Sequence, residues 1–335
     1  MKKKLLIVLT LILLLAGCGK KEETSDTPSK VRIGIIRVPN DTAVAIQMNY
    51  FDKYFKDKGI ETEFLFFDSG VSANQAFVSG SIDFAEMGFT NGVVALAKEL
   101  PVKLIWIHEI LGTNEALVVR DPAITDVKEL KGKTVATIFS STSHLSLLKT
   151  LEMNGMTEKD ITLLNMDTAP IVAAWERGEI DAAYTWEPTL TKIKETGKVL
   201  ISSEDLAKQG IMTANIRLVH KDFAEKYPGL VVDFIRALTD AGNLYRTDPD
   251  KAIQAAADYI GISFEEAKTQ IEGTQWLTPE QEMSSDYMGD NGAFVKMFKS
   301  TSEYWNAQEF TSRVPSDEEI REFIDISFIK KSLEN

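Results

Sequence analysis

The chain has 335 residues, 44% of them hydrophobic and 26% charged, with a net charge of −13. That length suggests two domains of about 100–200 residues each, and the composition is ordinary for a globular protein, which excludes disorder as the default state. The acidic balance opposes binding to nucleic acid or to anionic lipid headgroups, so an anionic ligand would have to be attracted locally, against the overall field.

The N-terminus, "MKKKLLIVLTLILLLAGC", places three lysines before an apolar run from Leu5 to Ala16 and small residues before Cys18. At about 20 apolar residues per bilayer crossing, the run is short for a membrane span and reads as a secretion signal over residues 1–17. Leu15-Ala16-Gly17-Cys18 resembles a bacterial lipobox, which implies cleavage before Cys18 and a lipid on its sulfur. Cys18 is the single cysteine, so neither an intrachain disulfide nor a cysteine-based metal site can form. The segment 19–30, "GKKEETSDTPSK", lacks apolar residues and reads as a flexible tether, giving a lipidated Cys and tether over 18–30.

Beyond the tether, strand-length apolar runs alternate with helical segments. "VRIGII" (31–36) is a strand, and a helix from about Thr42 to Lys58 is closed by Gly59. "TEFLFF" (62–67) is the second strand, followed by a helix to Gly80; "IDFAEMG" is the third, followed by a helix to Leu100. "VKLIWIHEI" (102–110) and "EALVVR" (115–120) are two more. The pattern then restarts with strand "GKTVATIF" (132–139), a helix from Thr142 to Asn154 capped by Gly155, strand "ITLLNM" (161–166), helix "APIVAAWERG" and strand "IDAAYTW". After "NIRLVH" (215–220) the remainder reads as helical. Strands alternating with helices imply parallel sheets covered on both faces, here twice over.

The two halves share a Gly-x-Ile-Asp sequence at Gly80–Asp83 and Gly178–Asp181. The Gly ends a helix in the left-handed region, and Asp83 and Asp181 are expected to cap strand starts rather than to bind ligand. Trp175 lies at core spacing with Ile171 and Val172.

Ligands in such folds bind beyond the carboxyl ends of the strands, near helix N-termini that favour anions. The rule selects Asp68, Ser69 and Gly70, then Gly88, Phe89 and Thr90. In the second half it selects Ser140, Ser141, Thr142, Ser143 and His144, then Trp186 and Glu187. One hydroxyl suffices to cap a helix, so four in a row at residues 140–143 point to ligand contact. Trp186, at a strand end before Pro188, suits a platform for a cationic or apolar ligand group. The three histidines, 108, 144 and 220, are scattered, which argues against a metal site. Ser146-x-x-Lys149 lacks the companion motifs of penicillin-binding enzymes, and no phosphate loop or dinucleotide fingerprint is present.

"FDSG", "EMG", "TNEALVV", "SSTSHLSLL", "AAWERGEIDAAYTWEP" and "HKDFAEKYP", in that order, resemble the taurine- and sulfonate-binding family of ABC-importer solute receptors. The likeness runs from Val31 to about Pro228 and more loosely into the tail at "GTQWLTPEQ". It implies an α/β, two-lobed periplasmic-binding-protein (Venus-flytrap) fold, type II-like, with the helical tail on lobe 1. Lobe 1 would comprise residues 31–120 and 214–335, and lobe 2 residues 121–213, with crossovers near Leu117–Arg120 and Asn215–Val219. By resemblance, Ser141 and Thr142 contact a sulfonate, Glu115 pairs with the ligand's ammonium, and Tyr184 and Trp186 lie near it. Two positions depart from the family. Phe89 stands where a hydroxyl residue is usual, and Asn215 where an acidic amine partner is usual.

The expected activity is therefore capture of a small sulfonate or related zwitterion by a monomer held at the extracytoplasmic face of the cell membrane by its lipid. Delivery would be to an ABC permease with its cytoplasmic ATPase, without cofactor, metal or catalysis. Another small zwitterion, a thiamine-precursor-like solute, or a sensory lipoprotein are the alternatives. A synthase of the same fold would carry a Cys-rich active-site motif, which this chain lacks.

Overall fold

The structure, a computed structural model, describes residues 27–334. The signal and lipidation expectations at residues 1–18 therefore lie outside the described residues. Eleven strands build two sheets. They are β1 (Lys30–Ile36), β2 (Glu61–Phe67), β3 (Phe84–Gly88), β4 (Val102–Leu111), β5 (Glu115–Val119) and β6 (Thr134–Thr137), then β7 (Thr162–Asn165), β8 (Ala182–Trp186), β9 (Lys198–Ser202), β10 (Ala214–His220) and β11 (Thr274–Gln275).

The first sheet has the order β11-β4-β10-β3-β1-β2 and the second β7-β6-β8-β5-β9. Apart from the edge strand β11, the two share one plan. Parallel strands are interrupted by a single antiparallel strand, β10 in the first sheet and β5 in the second. Each interrupting strand comes from the other half of the chain, which is how the two lobes are joined. This is the two-lobed periplasmic-binding-protein fold.

The repeat is visible at residue level. The Arg32 amide donates to the Asp83 carboxylate at 2.8 Å, and the Thr134 amide donates to Asp181 at 2.8 Å. In each lobe the Asp before the third strand holds the start of the first, as the shared Gly-x-Ile-Asp predicts. Gly80 and Gly178 both take positive φ at the preceding helix end, at 67° and 72°. Trp175 is buried in the second lobe's core beside Ile171 and Ile193.

Four features differ from the sequence reading. β5 pairs with β8 and β9 in the second sheet, so residues 115–119 are not part of the first. The helix expected from Thr42 to Lys58 is two helices, Asp41–Gln47 and Tyr50–Phe55, because Asn49 adopts a left-handed φ of 58° between them. The edge strand β9 and the two-residue β11 carry too little pattern to be read from sequence; β11 lies in the supposedly all-helical tail. Finally, the tail packs on the first lobe through Phe294, Phe298, Phe323 and Ile329, yet it also reaches the second. Trp305 and Phe310 close around His144, with ring centroids 5.5 and 4.9 Å away. Among the described residues, no helix is long and apolar enough to cross a membrane.

Candidate functional site

The carboxyl ends of β1, β3 and β4 reach one edge of the first sheet, and those of β6 and β8 reach the facing edge of the second. Because β5 and β10 run antiparallel, their first residues arrive at the same edges. A cleft of about 770 Å³ lies between them.

The second-lobe wall is formed by Ile138, Ser141, Thr142, Trp186, Glu187 and Glu115. Helix Thr142–Met153 starts here, and its first amides have no intrahelical acceptor. Ser140, at φ 64°, turns the chain into the helix. Strain of this kind is tolerated where the surroundings over-determine the backbone. Here the Ser140 amide donates to His144 Nδ1 at 3.2 Å, and its carbonyl accepts from Asn91 Nδ2 of the other lobe at 3.3 Å.

The hydroxyl protons expected to meet an anion are already committed. Ser141 Oγ donates to the Ile138 carbonyl at 2.6 Å and caps the helix by accepting from the His144 amide. Thr142 Oγ1 donates to Glu115 at 2.5 Å. In this arrangement an anion would meet the helix's first amides and its positive dipole end rather than hydroxyl protons.

Glu115 lines the cleft, but its carboxyl is enclosed by hydroxyls. Thr142 and Ser143 donate to Oε2 at 2.5 and 2.8 Å, and Ser203 donates to Oε1 at 2.7 Å. Thr213 and Ser146 stand farther off, at 3.4 and 3.5 Å. These hydroxyls satisfy the carboxyl from within the protein. Burial raises the Glu115 pKa, against the lowering effect of these bonds.

The first-lobe wall carries the charged groups. Glu86 is held by a buried ion network. Arg217 Nη2 donates to its Oε2 at 2.9 Å, His108 Nε2 lies 3.0 Å away, and Asn40 Nδ2 donates at 3.1 Å. His108 also pairs with Asp41. Burial opposes the imidazolium, but Asp41 and Glu86 outweigh it and raise the His108 pKa to about 9. Burial likewise opposes the Glu86 carboxylate, and Arg217 and His108 reverse the sign and lower its pKa. Within this network the acids are answered by cations.

Glu109 is different. It is buried, lines the cleft, and accepts one hydrogen bond, at 2.7 Å from Asn215 Nδ2, its register partner on β10. Among the described residues no cation pairs with it, and burial raises its pKa to about 7.

Of the residues selected from sequence, Ser69, Gly70, Gly88, Glu115, Ser141, Thr142, Trp186, Glu187 and Asn215 line the cleft. Asp68, Phe89, Thr90, Ser140, Ser143, His144 and Tyr184 do not. Asp68 is exposed to one side. Phe89 begins the helix after β3 and turns into the core against Phe294, with centroids 6.0 Å apart. Thr90 is fully buried, and its hydroxyl has no partner. Ser143 faces Glu115, and His144 is stacked on Phe139 with centroids 4.6 Å apart. Tyr184 is fully buried in the second lobe's core, with its hydroxyl 3.2 Å from Ser203. A strand alternates its faces, so Tyr184 points into the core while Trp186, at the strand's end, reaches the rim.

The sequence reading missed Glu86, His108 and Glu109. A polar pair, His108-Glu109, at the carboxyl end of an otherwise apolar strand was the available signal. Among the described residues, no group of three His, Cys, Asp or Glu side chains is placed to hold a metal ion.

Two similar α/β lobes, joined by exchanged strands around a polar cleft, define a two-lobed binding protein. The chain belongs to the family described as NMT1/THI5 like, which residues 51–252 match. It is 34% identical over 235 residues to the taurine-binding periplasmic protein of Escherichia coli (strain K12), covering 68% of this chain and 73% of that protein. Among solved structures, the periplasmic aliphatic sulphonate binding protein SsuA from Escherichia coli shares the fold. Its TM-score is 0.72 at 20% identity, covering 89% of this chain and 92% of that one. The alkanesulfonate-binding protein SsuA from Xanthomonas axonopodis pv. citri, bound to MOPS, has a TM-score of 0.70 at 21% identity, covering 87% and 96%.

Proposed function

We propose that this protein is the extracytoplasmic solute receptor of an ABC importer, that it captures taurine or a related small sulfonate between its lobes, and that it passes the solute to the permease. The observation that carries the reading is the polarity of the cleft. One wall offers the N-terminal end of the twelve-residue helix Thr142–Met153, and the other offers the buried carboxyl of Glu109. A helix N-terminus attracts an anion and a carboxylate attracts a cation, so the two walls together suit a short zwitterion. The likeness to the taurine-binding protein of Escherichia coli supports the same ligand class.

Ligand contacts from both walls stabilise the closed arrangement by differential affinity, which shifts the population toward the form a permease recognises. In this reading the lipobox-like Leu15–Cys18 anchors the protein by a lipid on Cys18, and 19–30 is its tether. No bond in the solute is made or broken.

The test is titration calorimetry of the purified protein with taurine, ethanesulfonate, glycine betaine, nitrate and a thiamine precursor. Micromolar or tighter binding of a sulfonate is the expected result. Binding of another class with no response to either sulfonate would overturn the assignment.

A further inference from the structure

We infer that Glu109 is the residue that reads the ammonium group of the solute, taking over the task that Asn215 is unable to perform. The inference rests on the proposed sulfonate reading and deepens it, because it makes the preferred solute an amino-sulfonate rather than a simple alkanesulfonate.

The ionisable groups near Glu109 are its neighbour His108, Glu86 on β3, Arg217 on β10, and Asp41 and Glu282 on first-lobe helices. Glu115 and Glu187 look across from the second lobe. His108 is spoken for by Asp41 and Glu86, and Arg217 by Glu86. Glu187 is paired with Lys194 at 2.9 Å. Glu115 is saturated by hydroxyls. Among the described residues Glu282 is buried without a cation; its Oε2 accepts from the Ile107 amide at 2.9 Å, and burial raises its pKa well above the usual carboxylate range. It does not line the cleft.

Glu109 alone among these is a cleft-lining carboxyl that has one hydrogen bond and no paired cation. A buried carboxyl in that position costs free energy unless a cation arrives or a proton neutralises it. Asn215 contributes by donating its amide to one carboxyl oxygen, which fixes the carboxyl at the cleft edge and leaves the second oxygen available. Strands β4 and β10 are adjacent, so a carboxyl at 109 can replace one at 215 with little displacement.

Below neutral pH the free protein holds a proton on Glu109. An arriving ammonium displaces that proton to solvent and pairs with the carboxylate. Affinity for taurine therefore rises with pH below about 7 and levels off above it. Ethanesulfonate brings no cation and gains nothing from the ionised form.

The experiment is calorimetry of the full protein with taurine and with ethanesulfonate at pH 5.5, 6.5 and 7.5, in two buffers of different ionisation enthalpy, for the wild type and Glu109→Gln. The wild type is expected to release protons on binding taurine at pH 5.5 and to favour taurine over ethanesulfonate increasingly as pH rises. Glu109→Gln is expected to lose about 10- to 100-fold of that preference, the worth of a charge-assisted hydrogen bond, together with its pH dependence. A wild type that binds taurine without releasing protons at pH 5.5 would overturn the assignment even if the variant did not fold. A variant with undiminished preference would do the same while leaving the sulfonate reading intact. If neither sulfonate bound, both readings would fall together.

Discussion

Replacing Glu115 tests whether this carboxyl is a ligand contact or an anchor for the cleft wall. Glu115→Ala strips three buried hydroxyls, Thr142, Ser143 and Ser203, of an acceptor at 2.5–2.8 Å. A buried polar group left unpaired costs about 1–3 kcal/mol. Part of this is offset because the costly burial of the carboxyl disappears as well, so the net loss is about 2–4 kcal/mol. Glu115→Gln keeps the shape and one acceptor oxygen. Its amide group donates to a hydroxyl that must then turn its own proton away, for a loss of about 1 kcal/mol. Urea unfolding followed by tryptophan fluorescence measures both. Since the carboxyl is saturated within the protein, Glu115→Gln should weaken taurine and ethanesulfonate by similar factors, through a loosened helix start. An alanine variant as stable as the wild type, joined to a glutamine variant that loses taurine alone, would refute the anchoring role and restore the ammonium role.

Three further outcomes are expected. A Cβ at Gly88 would stand 2.9 Å from Thr142 Cγ2 on the opposite wall, and its φ of −59° is open to any residue. Gly88→Val should therefore prop the lobes apart and lower solute affinity about tenfold or more, while urea stability stays near the wild type. Arg217 is fully buried and donates to Glu86, the Gly34 carbonyl and Thr42 at 2.9, 3.0 and 2.6 Å. Arg217→Met leaves Glu86 with less cationic support and should cost about 3–5 kcal/mol in urea unfolding. Burial lowers the His144 pKa to about 4, below its usual 6.5, so the unfolded chain binds its proton first. This contribution to stability is complete above pH 6.5 and is lost as pH falls toward 4, by up to about 3 kcal/mol. Thermal unfolding from pH 7 to 4 should show an acid loss that is smaller in His144→Gln.

The local pattern of the chain carried the architecture. Alternating strand and helix periods, written twice, require two parallel sheets, and the repeated Gly-x-Ile-Asp marks the same helix end and strand start in each. These features depend on neighbours a few residues apart, which is why they are legible. The same locality located the cleft edge, because the ends of β3, β6 and β8 are visible as the places where apolar runs stop.

What the sequence could not decide is which side chains at those ends face the cleft. A helix turns about 100° per residue, so a start at Thr142 does not say that Thr142 meets the cleft while Ser143 meets Glu115 and His144 meets Trp305 and Phe310. That rotation is set by packing against the sheet and the distant tail. Phe89 and Thr90 turned inward for the same reason. Asn215 reads in isolation as a missing carboxylate. Only the pairing of β10 with β4, residues more than a hundred positions apart, sets Glu109 beside it and returns an acidic group to the same edge.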